Sequence, residues 1–337
     1  MRQGGHEELA DLLDWRELRV LLSEALPLVP AQEAGRWERV AAYVHERCPG
    51  SPLRPGTEFE SALRKVEQAL PRGAALDGDA RQGREAWARL LYEAAQGALD
   101  ASQAFLNFGF EDPLPGGSGR GGEDGQHRRC IQLYQRLVGT RDLRGQAVLE
   151  IGCGWGGGCA YVARDLHPRR VVGMDLVPAN AARCRANHPG ELAFVTGNAV
   201  ALPFASGSFD TVLSLESSHA YPSLAGFGRE VRRVLGAGGR LLLGDLRPGP
   251  REWTQARDEL GEAGLEIEHE EDVSAGVLAS IEAAADERDR ALRAAERASA
   301  AAHAVLLEMV RLAESAADGL RSGRGSFLTL SLRARPG

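Results

Sequence analysis

The chain has 337 residues, 43% of them hydrophobic and 26% charged, with a formal net charge of −7. That composition supports a packed core in one large domain or two modest ones, and the acidic balance without any basic stripe disfavours nucleic acid as a partner. No apolar run approaches the ~20 residues that span a bilayer, and the start of the chain carries Glu7, Glu8, Asp11 and Asp14 in place of the basic, then apolar, pattern of a secretory signal. A cytoplasmic location without membrane insertion is expected.

Residues 1–95 read as an N-terminal helical region. Leu12, Leu13, Trp15, Leu18, Leu21 and Leu22 recur at helical spacing, and amphipathic stretches follow over Ala34–Glu46 and Glu58–Leu70. Another helix is predicted over Glu85–Phe108, a mobile glycine-rich loop over Pro113–Gly125, and a helix over Gln126–Val138. From Ala147 the pattern changes to short apolar runs separated by helical stretches. Ala147–Ile151, Val171–Met174, Leu192–Thr196, Thr211–Leu215 and Arg240–Gly244 predict strands of βαβ units in a buried parallel sheet. Leu265–His269 and Ser326–Leu332 read as two further strands. Between them Ser274–Ser322, rich in Ala, Leu, Arg and Glu, reads as one or two long helices.

The five cysteines form no CxxC pair, and the eight histidines show no HxH or HExxH spacing, so reduced thiols and no metal site are expected. The chemistry-bearing segment is Val148–Gly158, an apolar strand running into a glycine turn with a helix after it. Glycine lets a ligand approach the backbone, and the helix start offers free N–H groups. Dinucleotide enzymes share such a turn. Three features favour a cationic amino-acid ligand over a phosphate. Glu150 lies in the strand before the glycines and would repel a phosphate. Asp175 ends the next strand, where a carboxylate can accept bonds from both ribose hydroxyls. Gly197–Ala199 and Leu202–Phe204 end the third unit, ahead of Phe209–Glu216.

These motifs, with Val231–Gly244 and its Leu235–Gly239 turn, resemble the class I, Rossmann-like S-adenosylmethionine-dependent methyltransferases in order and spacing over Ala147–Leu246. The resemblance implies an α/β fold: a seven-stranded sheet with helices on both faces and an antiparallel last strand. It implies a chain divided into the helical region 1–95, a helical segment 96–145 covering cofactor and substrate, a cofactor-binding core 146–272, a helical lid 273–323, and the last core strand in 324–337. It also implies S-adenosyl-L-methionine as cofactor. Glu150, Gly152, Cys153 and Gly154 would line its methionine part, although a small residue fitting a tight turn is the stronger reading of Cys153. Asp175 would hold the ribose, Leu176 and Leu215 would pack on the cofactor, and Asn198 and Ala199 would face the adenine edge. The family usually has Asp where Asn198 stands. Asn both accepts and donates.

On the substrate side, Glu216–Pro222 together with Asn107–Phe110 and Cys130–Tyr134 resembles small-molecule O-methyltransferases of the polyketide and phthiotriolone type. That implies Phe108 over the cofactor, and Glu216, Tyr221 and His127 near the substrate. His219 is the candidate general base, since a neutral imidazole suits removal of a hydroxyl proton near neutral pH. Otherwise it caps the helix starting near Pro222 or packs against Tyr221. His127 is a second candidate base. The apolar face of 274–322, including Val277, Leu278, Ile281 and Val310, reads either as a wall around a bulky acceptor or as a dimer surface or core. The expected function is methyl transfer to a hydroxyl of a hydrophobic metabolite in secondary (antibiotic or polyketide) metabolism. Transfer to carbon or nitrogen, or use of the fold as a cyclase without methyl transfer, are the alternatives.

Overall fold

The computed structural model describes Tyr92, residues 104–112, and residues 127–335 apart from 189, 191 and 299. The helices expected over Ala34–Glu46 and Glu58–Leu70 and the Pro113–Gly125 loop lie outside the described residues. Contacts group the chain into two compact units, Met1–Leu99 with Arg290–Met309, and Asp100–Asp289 with Val310–Gly337.

That second unit is built on one seven-stranded sheet of order β3-β2-β1-β4-β5-β7-β6. The strands are β1 (Ala147–Ile151), β2 (Arg170–Asp175), β3 (Ala193–Thr196), β4 (Phe209–Leu215), β5 (Leu235–Arg247), β6 (Leu265–Asp272) and β7 (Ser326–Ala334). β1 to β5 pair in parallel, and β7 runs antiparallel between β5 and β6. Every residue of β1 is buried, as a strand covered on both faces requires. Alternation assigns successive side chains to opposite faces. Leu242 joins Val148, Leu213 and Phe327 in one core cluster, while Leu241 and Leu243 join Leu149, Val212 and Phe227 in the other.

Helices α1 (Arg128–Val138), α2 (Gly157–Leu166), α3 (Pro178–Asn187), α4 (Leu224–Val234) and α5 (Pro250–Glu262) flank the sheet. Pro opens α3 and α5, where its missing N–H is harmless. Ser223 caps α4 by accepting from Gly226 N–H at 2.9 Å, a contact worth about 1 kcal/mol.

Three sequence expectations are corrected. Residues 104–108 are not the end of a helix but an irregular strap. Its backbone groups are taken by other elements: Ala104 C=O accepts from Gly157 N–H at 3.0 Å, and Phe110 N–H donates to Arg129 C=O at 2.8 Å. The segment between β6 and β7 holds three helices, α6 (Ser274–Ala283), α7 (Ala285–Ala298) and α8 (Ala300–Arg321), not one or two. The glycines of Leu235–Gly239 fall within β5, whose pairing with β4 shifts register between Phe209 and Thr211.

Candidate active site

The carboxyl ends of β1 and β2 meet at the glycine turn. Gly152, Gly154 and Gly156 all have positive φ (75°, 54° and 84°), a conformation that side chains disfavour. The turn is bonded down onto β2: Gly152 and Cys153 N–H donate to Met174 C=O, and Gly154 N–H donates to Asp175 Oδ2 at 2.9 Å. Asp175 Oδ1 accepts from Val177 N–H at 2.9 Å and from Asn180 Nδ2 at 3.0 Å. A carboxylate has about four acceptor positions, so three are filled by the protein and one remains. Burial pushes the Asp175 carboxyl up, and those hydrogen bonds oppose it.

Glu150 sits deeper. It is 1% exposed, and both its oxygens are bonded within the protein, by Tyr134 Oη at 2.6 Å and Cys159 Sγ at 2.9 Å. Burial pushes its carboxyl up to about 7, against the pull of those two bonds. Gly158 is required here, because a Cβ at that position would collide with the Tyr134 hydroxyl and Glu150 Oε1. The three thiols around the turn, Cys153, Cys159 and Cys184, are buried. A hydrogen bond to Cys159, together with burial, lifts the Cys153 thiol well above its ordinary range, and burial takes Cys159 to about 12. Such thiols are poor nucleophiles, which favours the small-residue reading of Cys153.

Beyond β3, Asn198 Oδ1 accepts from Val200 N–H at 3.0 Å, so the turn uses the side-chain oxygen. Leu176 is half-buried; Ala199 and Leu215 are buried.

The carboxyl ends of β4 and β5 carry a second, charged cluster. His219 lies in a short 3-10 turn, Ser218–Ala220. Its Nδ1 is 2.8 Å from Asp245 Oδ1, and its backbone N–H donates to Asp245 Oδ2 at 2.7 Å. Asp245 is fully buried near the end of β5, while the His219 side chain is 46% exposed. Burial works to raise the Asp245 carboxyl, but the His219 and Arg247 charges and the hydrogen bonds from His219 and Ser218 outweigh it and hold it below the ordinary carboxylate range. His219 does not cap the next helix, which starts at Leu224 under Ser223.

Glu216 leaves β4 with φ 49°, a left-handed conformation that a non-glycine residue adopts at an energetic cost. Its carboxyl accepts Phe108 N–H on both oxygens, at 3.0 and 3.1 Å. Phe108 C=O accepts from Ser280 Oγ at 2.7 Å. The strap is thus tied at one residue to β4 and to α6. Tyr221 turns its hydroxyl inward to Ile151 C=O, Ser214 and Ser217, and packs its ring on Phe227. His127 packs its ring on Phe105, with centroids 5.1 Å apart, at the start of α1. Val277 and Ile281 belong to the sheet-side core, which selects the core reading for them.

Sequence reasoning overlooked Asp245, Arg247, Ser218 and the Tyr134–Glu150 bond. The available signal for Asp245 was a carboxylate directly after the apolar run Leu241–Leu243 and Gly244, at the ligand end of a central strand. No helix among the described residues is long and apolar enough to cross a membrane.

The methyltransferase domain family matches residues 149–243. The chain is 39% identical over 198 residues to the fatty-acid O-methyltransferase of Mycolicibacterium smegmatis, covering 58% of this chain and 71% of that protein. It is 42% identical over 153 residues to the phthiotriol/phenolphthiotriol dimycocerosates methyltransferase of Mycobacterium leprae, covering 44% of this chain and 56% of the relative. Among solved structures, the cyclopropane synthase MmaA2 from Mycobacterium tuberculosis shares the fold, with a TM-score of 0.55 at 16% identity over 72% of this chain and 98% of its own. With the glycine turn, the strand order and this level of identity together, the chain belongs to the S-adenosylmethionine-dependent methyltransferases.

Proposed function

We propose that the chain methylates a hydroxyl of a hydrophobic, lipid-like or polyketide-like small molecule, with His219 as the general base. The observation that carries this reading is the His219–Asp245 pair. A buried, acceptor-only carboxylate at 2.8 Å fixes the ring proton on Nδ1 and leaves Nε2 as a lone pair on a half-exposed ring. A hydroxyl acceptor needs such a base. An ionised carboxylate acceptor does not. The relatives named for fatty acids and for phthiotriols support a lipid-like acceptor.

The donor set fits S-adenosylmethionine. Asp175 has one acceptor position for a ribose hydroxyl, Asn198 has an amide donor for the adenine edge, and Leu176 and Ala199 offer apolar contact beside them. Gly152 and Gly154 shape the turn for the methionine end. Glu150, with both oxygens bonded, supports that turn from below instead of reaching outward. When bound, the cofactor supplies an electrophilic methyl group on a sulfonium. His219 Nε2 receives the proton of the acceptor hydroxyl, Asp245 stabilises the resulting imidazolium, and the strap at Phe108 covers the site against water.

The test is incubation of the protein with S-adenosylmethionine and hydroxylated polyketides or long-chain alcohols, with fatty acids alongside, monitoring S-adenosylhomocysteine. Formation with the hydroxylated compounds, falling about 10²–10⁴-fold in His219→Ala, is the expected result. An unchanged rate in that variant removes the base assignment. Cofactor binding without S-adenosylhomocysteine under any condition would move the reading to a cyclase-type use of the fold.

A further inference from the structure

The His219–Asp245 pair has a guanidinium behind it. Asp245 and Arg247 lie two residues apart on β5 and so project from the same face. Arg247 is 9% exposed, and its guanidinium lies over Trp253 at 5.6 Å. It approaches Asp245 Oδ2 to 3.5 Å and donates from Nη2 to Ser218 Oγ at 2.7 Å. Ser218 Oγ also bonds Asp245 Oδ2.

The direction of this chain is forced. A guanidinium only donates, so the Ser218 oxygen accepts from Arg247 and sends its own proton to the carboxylate. An ionised carboxylate only accepts, so the imidazole must present Nδ1–H to it. Every link from Arg247 to His219 therefore has one allowed polarity.

We propose that Arg247 is a positioning residue that, through Ser218 and Asp245, holds the imidazole proton of the His219–Asp245 pair on Nδ1 and so leaves Nε2 as the free lone pair. Without this cation the pair takes a second proton more readily, either on Nε2 or on the carboxyl. Both routes remove the Nε2 lone pair, since a protonated carboxyl donates to Nδ1 and leaves the ring proton on Nε2. Among the described residues, the other titratable groups around the pair are Glu216 and Tyr221, on the loop after β4. Burial shifts both toward their neutral forms. Among the described residues, the balancing charge thus comes from β5 itself.

The proposal rests on His219 being the base, but its test does not need the acceptor. The full chain is labelled with ¹⁵N-histidine, the His219 resonances are assigned by their loss in His219→Gln, and tautomer and titration midpoint are read by NMR. Wild type is expected to show the Nδ1–H tautomer above the midpoint. Arg247→Met should raise the midpoint by about one pH unit, and Arg247→Lys should hold it near the wild-type value. Ser218→Ala, a small change that keeps the cation, should raise it by a smaller amount. A folded Arg247→Met protein with the wild-type midpoint and tautomer overturns the proposal. If that variant does not fold, an unchanged midpoint in Ser218→Ala overturns it. An expected shift in a protein without methyl transfer would leave Arg247's role standing and remove only the base assignment.

Discussion

Two carboxyl groups lie equally deep at the ligand end of the sheet, and they behave in opposite ways. Glu150 is 1% exposed and Asp245 0%. Glu150 is held by two neutral donors, Tyr134 and Cys159, and its carboxyl rises to about 7. Asp245 is held by a guanidinium, an imidazole and a hydroxyl, and its carboxyl stays below the ordinary range. Burial alone favours the neutral acid at both positions; the charge of the partners decides the outcome. The glycine turn is thus supported by a carboxyl that burial raises to about 7, whereas the carboxyl at the β5 exit is held toward its anionic form by its charged partners.

The largest test of this contrast is Asp245→Asn, which removes the anion but keeps the shape. The amide can donate to Nδ1 and select the wrong tautomer, so the rate of S-adenosylhomocysteine formation should fall by about 10³-fold with little change in cofactor affinity. Next is Gly158→Ala. Its new Cβ would displace the Tyr134 hydroxyl from Glu150, and a loss of about 2–3 kcal/mol in urea unfolding is expected.

Glu150→Gln should follow. Folded Glu150 holds its proton up to about pH 7, whereas its ordinary value is 4.5. Between those values the native state binds more protons than the unfolded one, so this group's contribution to stability falls as pH rises and levels off above pH 7. The Gln variant lacks that slope. Relative to wild type it should gain on the order of 2 kcal/mol between pH 5 and pH 8, read from unfolding curves at both. A slope identical in the two proteins would assign wild-type acid behaviour to other groups. The smallest effect is expected at the strap. Glu216→Ala leaves Phe108 N–H without its acceptor, and hydrogen exchange at that amide should quicken about tenfold.

The sheet was legible because its strands are buried on both faces and so appear as continuous apolar runs, as in Ala147–Ile151 and Leu241–Leu243. The glycine turn was legible because only glycine readily takes φ of 54–84° at three nearby positions. Glu216 breaks that logic by taking φ 49° with a full side chain, and nothing in its residue type announces it. The strap misled for a related reason. Phe105 and its neighbours have helical spacing, but Ala104, Phe108 and Phe110 give their backbone bonds to α2, Glu216 and α1. His219 could be singled out from its place after β4. Asp245 carried a signal of its own, at the end of an apolar strand, but its pairing with His219 was hidden, because the two are 26 residues apart and only the pairing of β4 with β5 brings the strand ends together.

The antiparallel β7 also governs how this architecture can vary. Ser326 opens β7 opposite Arg247, at the end of β5. Val273, directly after β6, donates to Phe327 C=O at 3.0 Å, and Phe327 N–H donates to Ser274 Oγ at 2.9 Å. The chain between β6 and β7 therefore departs and returns through one doorway, on the side of the sheet where His219 sits. A doubling of that excursion adds only about 0.6 kcal/mol of closure entropy and shifts no strand register. This one segment can be lengthened while the seven strands and the His219–Asp245 pair stay fixed, which makes the β6–β7 connection the natural place to insert added chain.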